Sequence, residues 1–320
     1  MKVLVLGGTP SLGLFVVDEL LRRKHEVAVL GQEGAEFGGP VFRAAGLASD
    51  PAALRAAVRG WPPEAVLDLA HDGPEHAASV AAACGGRVQR SVHLSSAAVY
   101  GRNPVCPVDE ATEVAAHPTA EAAAQIAADE TVLAAAQRGE LPAAVVRPAA
   151  LYGPRDARCA EWFFARRVLD GRTRVAVPDG GLHICHRGFV QNMAWGIAQA
   201  LTARRAAGQV YNLGEEKLYT LAQLAQGVAR ALDHKWEIHS VPGSLWTTPY
   251  ACTSFFDLRK ARAQLRYQDR MIPRDGLELT LAWLCQNPPG DEWTWPGVEA
   301  PFDYQREDEL IQRHGVKVEV

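Results

Sequence analysis

The sequence of 320 residues is poor in the features that mark disulfide-stapled, zinc-binding and membrane proteins. Its six cysteines are widely scattered and never occur as C-x-x-C, so we expect neither a disulfide scaffold nor a metal site. No uninterrupted apolar stretch reaches about 18 residues, the length that crosses a bilayer. These absences predict a cytoplasmic protein in a reducing compartment, with no membrane partner.

A surplus of positive charge is also absent. The chain has 33 Lys and Arg against 37 Asp and Glu, a formal net charge of −4. Nucleic-acid binding usually needs a broad basic surface, so we expect a small-molecule substrate and no nucleic-acid partner. A homodimer is left open.

Lysine is missing from a long internal segment, because none occurs between Lys24 and Lys217. In addition, none of the seven tyrosines has a lysine four residues later. Chemistry that pairs a tyrosine with a lysine at that spacing is therefore excluded, unless a distant side chain substitutes for one of them.

The chain begins with an apolar strand, Val3 to Leu6, that leads into a glycine-rich turn and an apolar-periodic helix. Glycines at positions 7, 8 and 13 allow the backbone to approach a ligand, and N–H groups at a helix N-terminus bind phosphate. A second strand from Glu26 to Leu30 completes a β-α-β unit. The alternative is an ordinary strand-to-helix turn that binds nothing.

Strand-like and helical segments alternate through the first half of the chain, which is typical of a doubly wound α/β protein. A helix is predicted from about Ala120 to Arg138, with Thr119 as its N-cap and Gly139 at its end. We expect a Rossmann-type parallel sheet over residues 1–154. A smaller α/β substrate lobe with a C-terminal tail is expected over 155–320, the two being interleaved.

Four short strings, in this order, resemble the extended short-chain dehydrogenase/reductase family of NAD-dependent epimerases and dehydratases. They are the turn from Gly7 to Gly13, Leu94-Ser-Ser-Ala-Ala-Val-Tyr-Gly101, Val146-Arg-Pro148 with Leu151-Tyr-Gly-Pro154, and Tyr211-Asn-Leu-Gly214. The resemblance implies NAD or NADP as the cofactor. The residues expected to bind it are Gly7, Gly8, Thr9, Pro10, Ser11, Leu12, Gly13, Gln32 and Ala70.

The cofactor site departs from the family pattern at three positions. Pro10 replaces a glycine and removes one N–H, and Gln32 is neither the acid expected for NAD nor the arginine expected for NADP. Leu47 replaces an acidic residue that contacts adenine in the family. The choice between NAD and NADP, and whether either binds, therefore stays open.

The catalytic residues depart as well. The family uses a serine, a tyrosine and a lysine, and Ser96 stands at the serine position. Glu121 and Gln125 occupy the tyrosine and lysine positions, so Ser96, Glu121 and Gln125 are the catalytic candidates. At helical spacing Glu121 and Gln125 share one face, and Glu121 is a candidate general base. The alternative for Glu121 is a solvated glutamate that stabilises the start of a helix.

Tyr100, Arg147, Tyr152 and Arg187 match strings that border the substrate cleft in the family. Arg187 is a candidate for binding a phosphate or carboxylate, with a surface ion pair as the alternative. The neighbouring His183, Cys185 and His186 lack an identifiable fourth ligand, so we interpret them as structural.

These features favour an NAD(P)-binding, epimerase/dehydratase-like or oxidoreductase-like enzyme. The expected substrate is sugar-like and either nucleotide-linked or phosphorylated. A catalytically inactive sensor or scaffold is the alternative. RNA binding, as in chloroplast stem-loop-binding relatives of the family, is a third reading that the acidic balance disfavours.

Overall fold

The computed structural model describes residues 1–7, 11–31, 36–70, 72–103, 105–156 and 159–320. The chain forms two compact units, each assembled from three separate segments. Unit 1 contains Met1–Ala150, Val190–Gly214 and Phe256–Arg270. Unit 2 contains Leu151–Phe189, Glu215–Phe255 and Met271–Val320.

The strands, in chain order, are β1 Lys2–Leu6, β2 Glu26–Leu30, β3 Phe42–Ala44, β4 Ala65–Asp68, β5 Arg90–Leu94, β6 Ala143–Pro148, β7 Ala150–Tyr152, β8 Arg174–Pro178, β9 Ile184–Cys185, β10 Arg187–Phe189, β11 Val210–Leu213, β12 Tyr219–Thr220, β13 Glu237–Val241 and β14 Val316–Val318. The α-helices are α1 Leu12–Arg22, α2 Pro51–Gly60, α3 Gly73–Cys84, α4 Ala120–Gln137, α5 Trp162–Leu169, α6 Val190–Thr202, α7 Leu221–Ala231, α8 Arg259–Leu265, α9 Pro273–Gln286 and α10 Tyr304–His314.

Unit 1 is built on a seven-stranded sheet in the order β11-β6-β5-β4-β1-β2-β3. Every neighbouring pair is parallel. The central strands are continuous apolar runs because helices cover the sheet on both faces. Helix α1 packs against α6, and α3 packs against α2 and α4. This arrangement confirms the predicted doubly wound Rossmann-type fold.

Helix α4 forms where the sequence predicts it. The Oγ1 of Thr119 accepts a hydrogen bond from the backbone N–H of Ala122 at 3.2 Å, which caps the helix. Gly139, with φ +72°, follows the last turn and allows the chain to leave the helix. The cap fixes the start of α4 and therefore which of its residues face the sheet.

Unit 2 contains a three-stranded sheet in the order β14-β13-β8 and a short antiparallel pair of β9 and β12. Helix α10 packs on β8 and β13, and a buried ion pair between Arg167 of α5 and Glu307 of α10 holds the C-terminal segment in place. Within the ranges given above, no helix is both long and apolar enough to cross a membrane.

Candidate functional site

The carboxyl end of β1 makes a close backbone approach. Gly7 has φ +59°, and a Cβ added there would lie 2.8 Å from the Cβ of Ala70, just after β4. A second glycine, Gly31 at the end of β2, has φ +87° and would place a Cβ 3.0 Å from the backbone nitrogen of Ala48. Only glycine is free of strain at these positions, so the chain packs closely at the carboxyl ends of these strands, where a Rossmann fold binds its dinucleotide.

Helix α1 begins at Leu12, with Ser11 preceding it and with Leu12 and Gly13 buried in its first turn. That first turn carries no acidic side chain, so nothing in it opposes an anion at the helix N-terminus. The described part of the site therefore fits a dinucleotide pyrophosphate. The other predicted contacts, Gly8, Thr9, Pro10 and Gln32, lie outside the described residues.

Two serines follow β5, and their hydroxyls make different hydrogen bonds. Ser96 is half-buried, and its Oγ accepts a hydrogen bond from the N–H of Ala98 at 3.1 Å, starting a short 3-10 helix. A hydroxyl that accepts a hydrogen bond still has its own proton to donate. Ser95 is buried and donates to Oδ2 of Asp129 at 2.9 Å. Ser96 is therefore the more exposed of the two hydroxyls.

Glu121 and Gln125 lie on α4 as the sequence predicts, but their environments differ. Glu121 is exposed in the first turn. Gln125 is buried, and its amide nitrogen lies 3.1 Å from Nε2 of His93 and 3.4 Å from the carbonyl oxygen of Leu94. Gln125 therefore turns towards the sheet. The catalytic roles of Ser96, Glu121 and Gln125 stay predictions.

Tyr100 and Arg147 are part of a buried network in unit 1. Arg147 contacts Oδ2 of Asp129 through Nη2 at 2.9 Å and through Nε at 3.0 Å, and its Nη1 donates to the Tyr100 hydroxyl at 3.0 Å. Tyr100 donates to Oδ1 of Asn212 at 2.9 Å. Burial raises the pKa of Tyr100 despite the nearby arginine, so its phenol stays protonated. Contact of either residue with a substrate stays a prediction.

Unit 1 contains a second buried network, which the sequence alone did not predict. Asp68 and His93 are register partners on β4 and β5, and Oδ2 of Asp68 lies 2.9 Å from Nδ1 of His93. Its Oδ1 lies 2.8 Å from Nε2 of His76 on α3. Burial raises the pKa of Asp68, but the hydrogen bonds from both histidines outweigh burial and hold the pKa below its usual range. The sequence signal for this network is Asp68, a charged residue at the end of the apolar strand β4.

Unit 2 holds a buried charge cluster around Arg187, which is 1% exposed. Its Nη1 lies 2.7 Å from Oε1 of Glu161, and its Nη2 lies 3.6 Å from Oε2 of Glu215. The guanidinium also lies 4.3 Å from the centre of the Tyr152 ring, and the Tyr152 hydroxyl donates to Glu215. Arg187 is thus already matched by two carboxylates. Substrate binding by Arg187 or Tyr152 stays a prediction.

The histidines beside Arg187 form no cluster with further ligands. Nε2 of His186 lies 3.0 Å from the carbonyl oxygen of Glu215, and burial lowers the pKa of His186 to about 4. In the portion of the chain that the structure describes, no group of three or more His, Cys, Asp or Glu side chains is arranged to hold a metal ion.

The parallel sheet and its glycine turn define a Rossmann-type α/β protein. A family model described as "NAD dependent epimerase/dehydratase family" matches residues 3–214. The match covers more than half of the sequence, and the chain belongs to this family.

Three comparisons illustrate the relationship. The 2'-dehydrokanamycin reductase of Streptomyces kanamyceticus is 31% identical over 313 residues, covering 91% of this chain and 87% of that protein. The chloroplast stem-loop binding protein of 41 kDa b from Arabidopsis thaliana is 24% identical over 72% of this chain, a match that spans only 63% of that protein. The UDP-glucuronic acid 4-epimerase of Bacillus cereus, solved with UDP-glucuronic acid and NAD, has a TM-score of 0.75 at 16% identity, covering 90% of this chain and 100% of that one.

Proposed function

We propose that this protein is an NAD(P)H-dependent carbonyl reductase of a small, sugar-like ketone. The observation that carries the proposal is the half-buried Ser96 hydroxyl at the serine position of the family, in a chain that has Gln125 at the lysine position. The hydroxyl supports hydrogen bonding to a carbonyl oxygen. The chain lacks the tyrosine and lysine that serve as the base in the family. Oxidation and epimerisation, which need such a base, are therefore disfavoured.

Cofactor binding is supported by the approach of Gly7 to Ala70 and by the acid-free first turn of α1. Gly7, Ser11, Leu12, Gly13 and Ala70 are the described residues that would hold the dinucleotide. When bound, a reduced nicotinamide supplies a hydride. The UDP-glucuronic acid 4-epimerase with NAD in its structure supports the same site in this chain.

We assign the reaction to the direction of reduction, in which the reduced dinucleotide supplies the hydride and this chain supplies a proton donor. Oxidation and epimerisation begin by removing a proton from a weakly acidic alcohol, which needs a strong base such as the family tyrosine beside its lysine. In a reduction, the carbonyl carbon gains a hydride and the oxygen gains a proton. That oxygen becomes basic as negative charge develops, so Ser96, supplied with protons by water, is sufficient as a donor. Glu121, exposed at the start of α4, is the proposed carrier of protons between the site and solvent.

The surroundings of Arg187 support one class of substrate over another. Glu161 and Glu215 already neutralise this arginine, which supports a ketone without a phosphate group. A nucleotide-linked or phosphorylated sugar is the alternative substrate. The reductase from Streptomyces kanamyceticus supports reduction as the reaction class, because its match extends over 91% of this chain.

The test is consumption of NADH or NADPH by purified protein with a panel of aminocyclitol ketones, free keto sugars and nucleotide-linked keto sugars. We expect turnover with an unphosphorylated ketone. In Ser96→Ala, kcat should fall about 10²-fold with an unchanged KM for the cofactor. Ser79→Ala removes the hydroxyl of a half-buried serine elsewhere in unit 1, one that donates to the carbonyl oxygen of Glu75, and should behave as wild type. Turnover in Ser96→Ala equal to wild type would remove the serine from the mechanism.

A sensor or scaffold without catalysis is the second candidate, favoured by the absence of any Tyr-x-x-x-Lys sequence. It predicts that a dinucleotide or substrate stabilises the protein against heat, but that no ketone in the panel is consumed. Thermal shift measurements beside the turnover assay separate the two proposals.

A further inference from the structure

Ser96 lies in a short segment that follows β5, residues 95–100, which we call the Ser96 turn. Its Oγ accepts a hydrogen bond from the N–H of Ala98 at 3.1 Å, and its carbonyl oxygen accepts one from the N–H of Val99 at 3.2 Å. A 3-10 helix of this length has few internal hydrogen bonds, and their geometry is poor. The direction of the Ser96 hydroxyl therefore depends on what holds the two ends of the turn.

Ser95 is the first residue of the Ser96 turn, and its side chain is buried. Its backbone N–H donates to the carbonyl oxygen of Val146 at 2.8 Å, which continues the pairing of β5 with β6. Its hydroxyl donates to Oδ2 of Asp129 on α4 at 2.9 Å. The first end of the turn is thus attached both to the sheet and to a helix.

Tyr100 is the last residue of the Ser96 turn and is also buried. Its hydroxyl accepts a hydrogen bond from Nη1 of Arg147 on β6 at 3.0 Å and donates one to Oδ1 of Asn212 on β11 at 2.9 Å. A hydroxyl can accept and donate at the same time, so the two contacts are compatible. The last end of the turn is thus attached to two strands of the sheet.

The two ends meet at one buried ion pair. The Oδ2 of Asp129 that accepts from Ser95 also accepts from Nη2 of Arg147 at 2.9 Å and from Nε at 3.0 Å. The other terminal nitrogen of Arg147, Nη1, is the donor to Tyr100. A guanidinium is planar and presents its N–H groups at fixed angles, so the position of Asp129 constrains the position of the Tyr100 hydroxyl. A closed ring of contacts therefore runs from one end of the turn, through the ion pair, to the other end.

We propose that the Asp129–Arg147 ion pair holds both ends of the Ser96 turn and so orients the Ser96 hydroxyl for donation to a substrate carbonyl. Ser95 and Tyr100 are the positioning residues that connect the turn to the pair. This role requires no contact between Tyr100 or Arg147 and a substrate. The inference rests on the proposed function where it gives the Ser96 hydroxyl a carbonyl to act on, whereas the support of the turn is a property of the protein without ligands.

Two deletions of a hydroxyl group test this inference, one at each end of the turn. Ser95→Ala and Tyr100→Phe each remove one contact with the ion pair and leave the pair itself in place. Replacing a member of the pair would instead leave a buried charge without its partner, which destabilises the whole fold. The matched controls are Ser79→Ala and Tyr211→Phe, which remove a serine and a tyrosine hydroxyl that bond elsewhere in unit 1.

The first measurement is hydrogen exchange of the Ala98 amide, followed by nuclear magnetic resonance on the full chain without cofactor or substrate. This N–H donates to Oγ of Ser96, so its exchange rate reports on the turn directly. We expect exchange about tenfold faster in Ser95→Ala and in Tyr100→Phe, which corresponds to one hydrogen bond lost, and unchanged exchange in both controls. An unchanged rate in the first two variants, or an equal rise in the controls, would overturn the inference.

The second measurement asks whether the turn acts through Ser96. In the wild-type background, Ser95→Ala should lower kcat for ketone reduction about tenfold, because a small displacement of a proton donor slows the reaction, and should leave KM for the reduced dinucleotide unchanged. In the Ser96→Ala background the same substitution should cause no further loss, since the hydroxyl that it positions is already gone. A purely structural role would lower kcat by the same factor in both backgrounds, and that result would overturn the inference.

The two measurements separate the inference from the function on which it rests. Faster exchange of Ala98 in both end variants, with no ketone reduced by wild type, would support the hold of the ion pair on the turn and overturn the reductase proposal. Unchanged exchange, with ketone reduction still lowered in Ser96→Ala, would overturn the inference and leave the reductase proposal standing.

Discussion

The buried charged residues of unit 1 depend on one another. Asp68 is matched by His76 and His93, and Asp129 is matched by Arg147. Removing one member of such a pair leaves the other buried without compensation, which costs far more than an exposed ion pair contributes. At the scale of residues, the carboxyl end of the central strands is therefore sensitive to protonation as well as to substitution.

The Asp68–His76 pair predicts how stability depends on pH. Burial lowers the pKa of His76, but the hydrogen bond and charge of Asp68 outweigh burial and raise the pKa above its ordinary value of 6.5. Native His76 thus keeps its proton to a higher pH than the unfolded chain does. Its contribution to stability is complete below 6.5 and is lost as pH rises through the native pKa.

Unfolding by denaturant at several pH values checks this. His76→Gln should lower the free energy of unfolding by about 1.5–3 kcal/mol between the ordinary pKa values of Asp68 and His76. The deficit should shrink as pH rises above that range. It should also shrink as pH falls below the ordinary Asp68 value of 3.8, since the stability that comes from the lowered pKa of Asp68 is complete above that value and is lost progressively as pH falls through the native pKa. A deficit that grows with rising pH would reverse the assigned sign.

At the scale of elements, the residue that follows β1, Gly7, combines a left-handed backbone with close packing. Gly7 has a positive φ, and Ala70 occupies the space that a side chain at position 7 would need. Gly86, after α3, has a similar φ of +66° but nothing within 4 Å of an added Cβ. The two glycines thus separate backbone strain from steric conflict.

Replacement of each glycine by alanine tests the turn. Gly86→Ala should lose about 1 kcal/mol of stability from its backbone conformation alone. Gly7→Ala should lose that amount and about 1–3 kcal/mol more from the conflict with Ala70, together with its affinity for a dinucleotide. Denaturant unfolding and calorimetry measure both effects. Equal stabilities and unchanged affinity for the two variants would show that the turn has room for a side chain.

Helix α4 shows what local sequence can and cannot predict. Its start and end follow from Thr119 and Gly139, because capping depends on residues adjacent in the chain. The inward turn of Gln125 depends on His93, which lies 32 residues earlier on a neighbouring strand. Spacing on the helix placed Glu121 and Gln125 on one face, but the partner that buries Gln125 comes from the sheet.

At the scale of the whole molecule, the fold was predictable and the charge clusters were not. The strands of the parallel sheet are indicated by apolar runs bounded by turn residues. These signals lie within short stretches of sequence, so they can be recognised without knowing the fold. The cluster of Arg187, Glu161 and Glu215 joins three distant parts of the sequence, and no spacing indicates that it forms. The sequence made this arginine a candidate for binding a phosphate or carboxylate, with an ion pair as the alternative, and its role towards a substrate stays a prediction.

Transfer of deuterium from a reduced dinucleotide labelled at its reactive carbon tests the central claim most directly. The label would be sought by mass spectrometry in the product of an unphosphorylated keto sugar or aminocyclitol ketone. The account predicts one deuterium on the former carbonyl carbon, formed by wild type and Ser79→Ala and about 10²-fold more slowly by Ser96→Ala. A panel in which no ketone gains deuterium, although the protein binds the reduced dinucleotide, would contradict it.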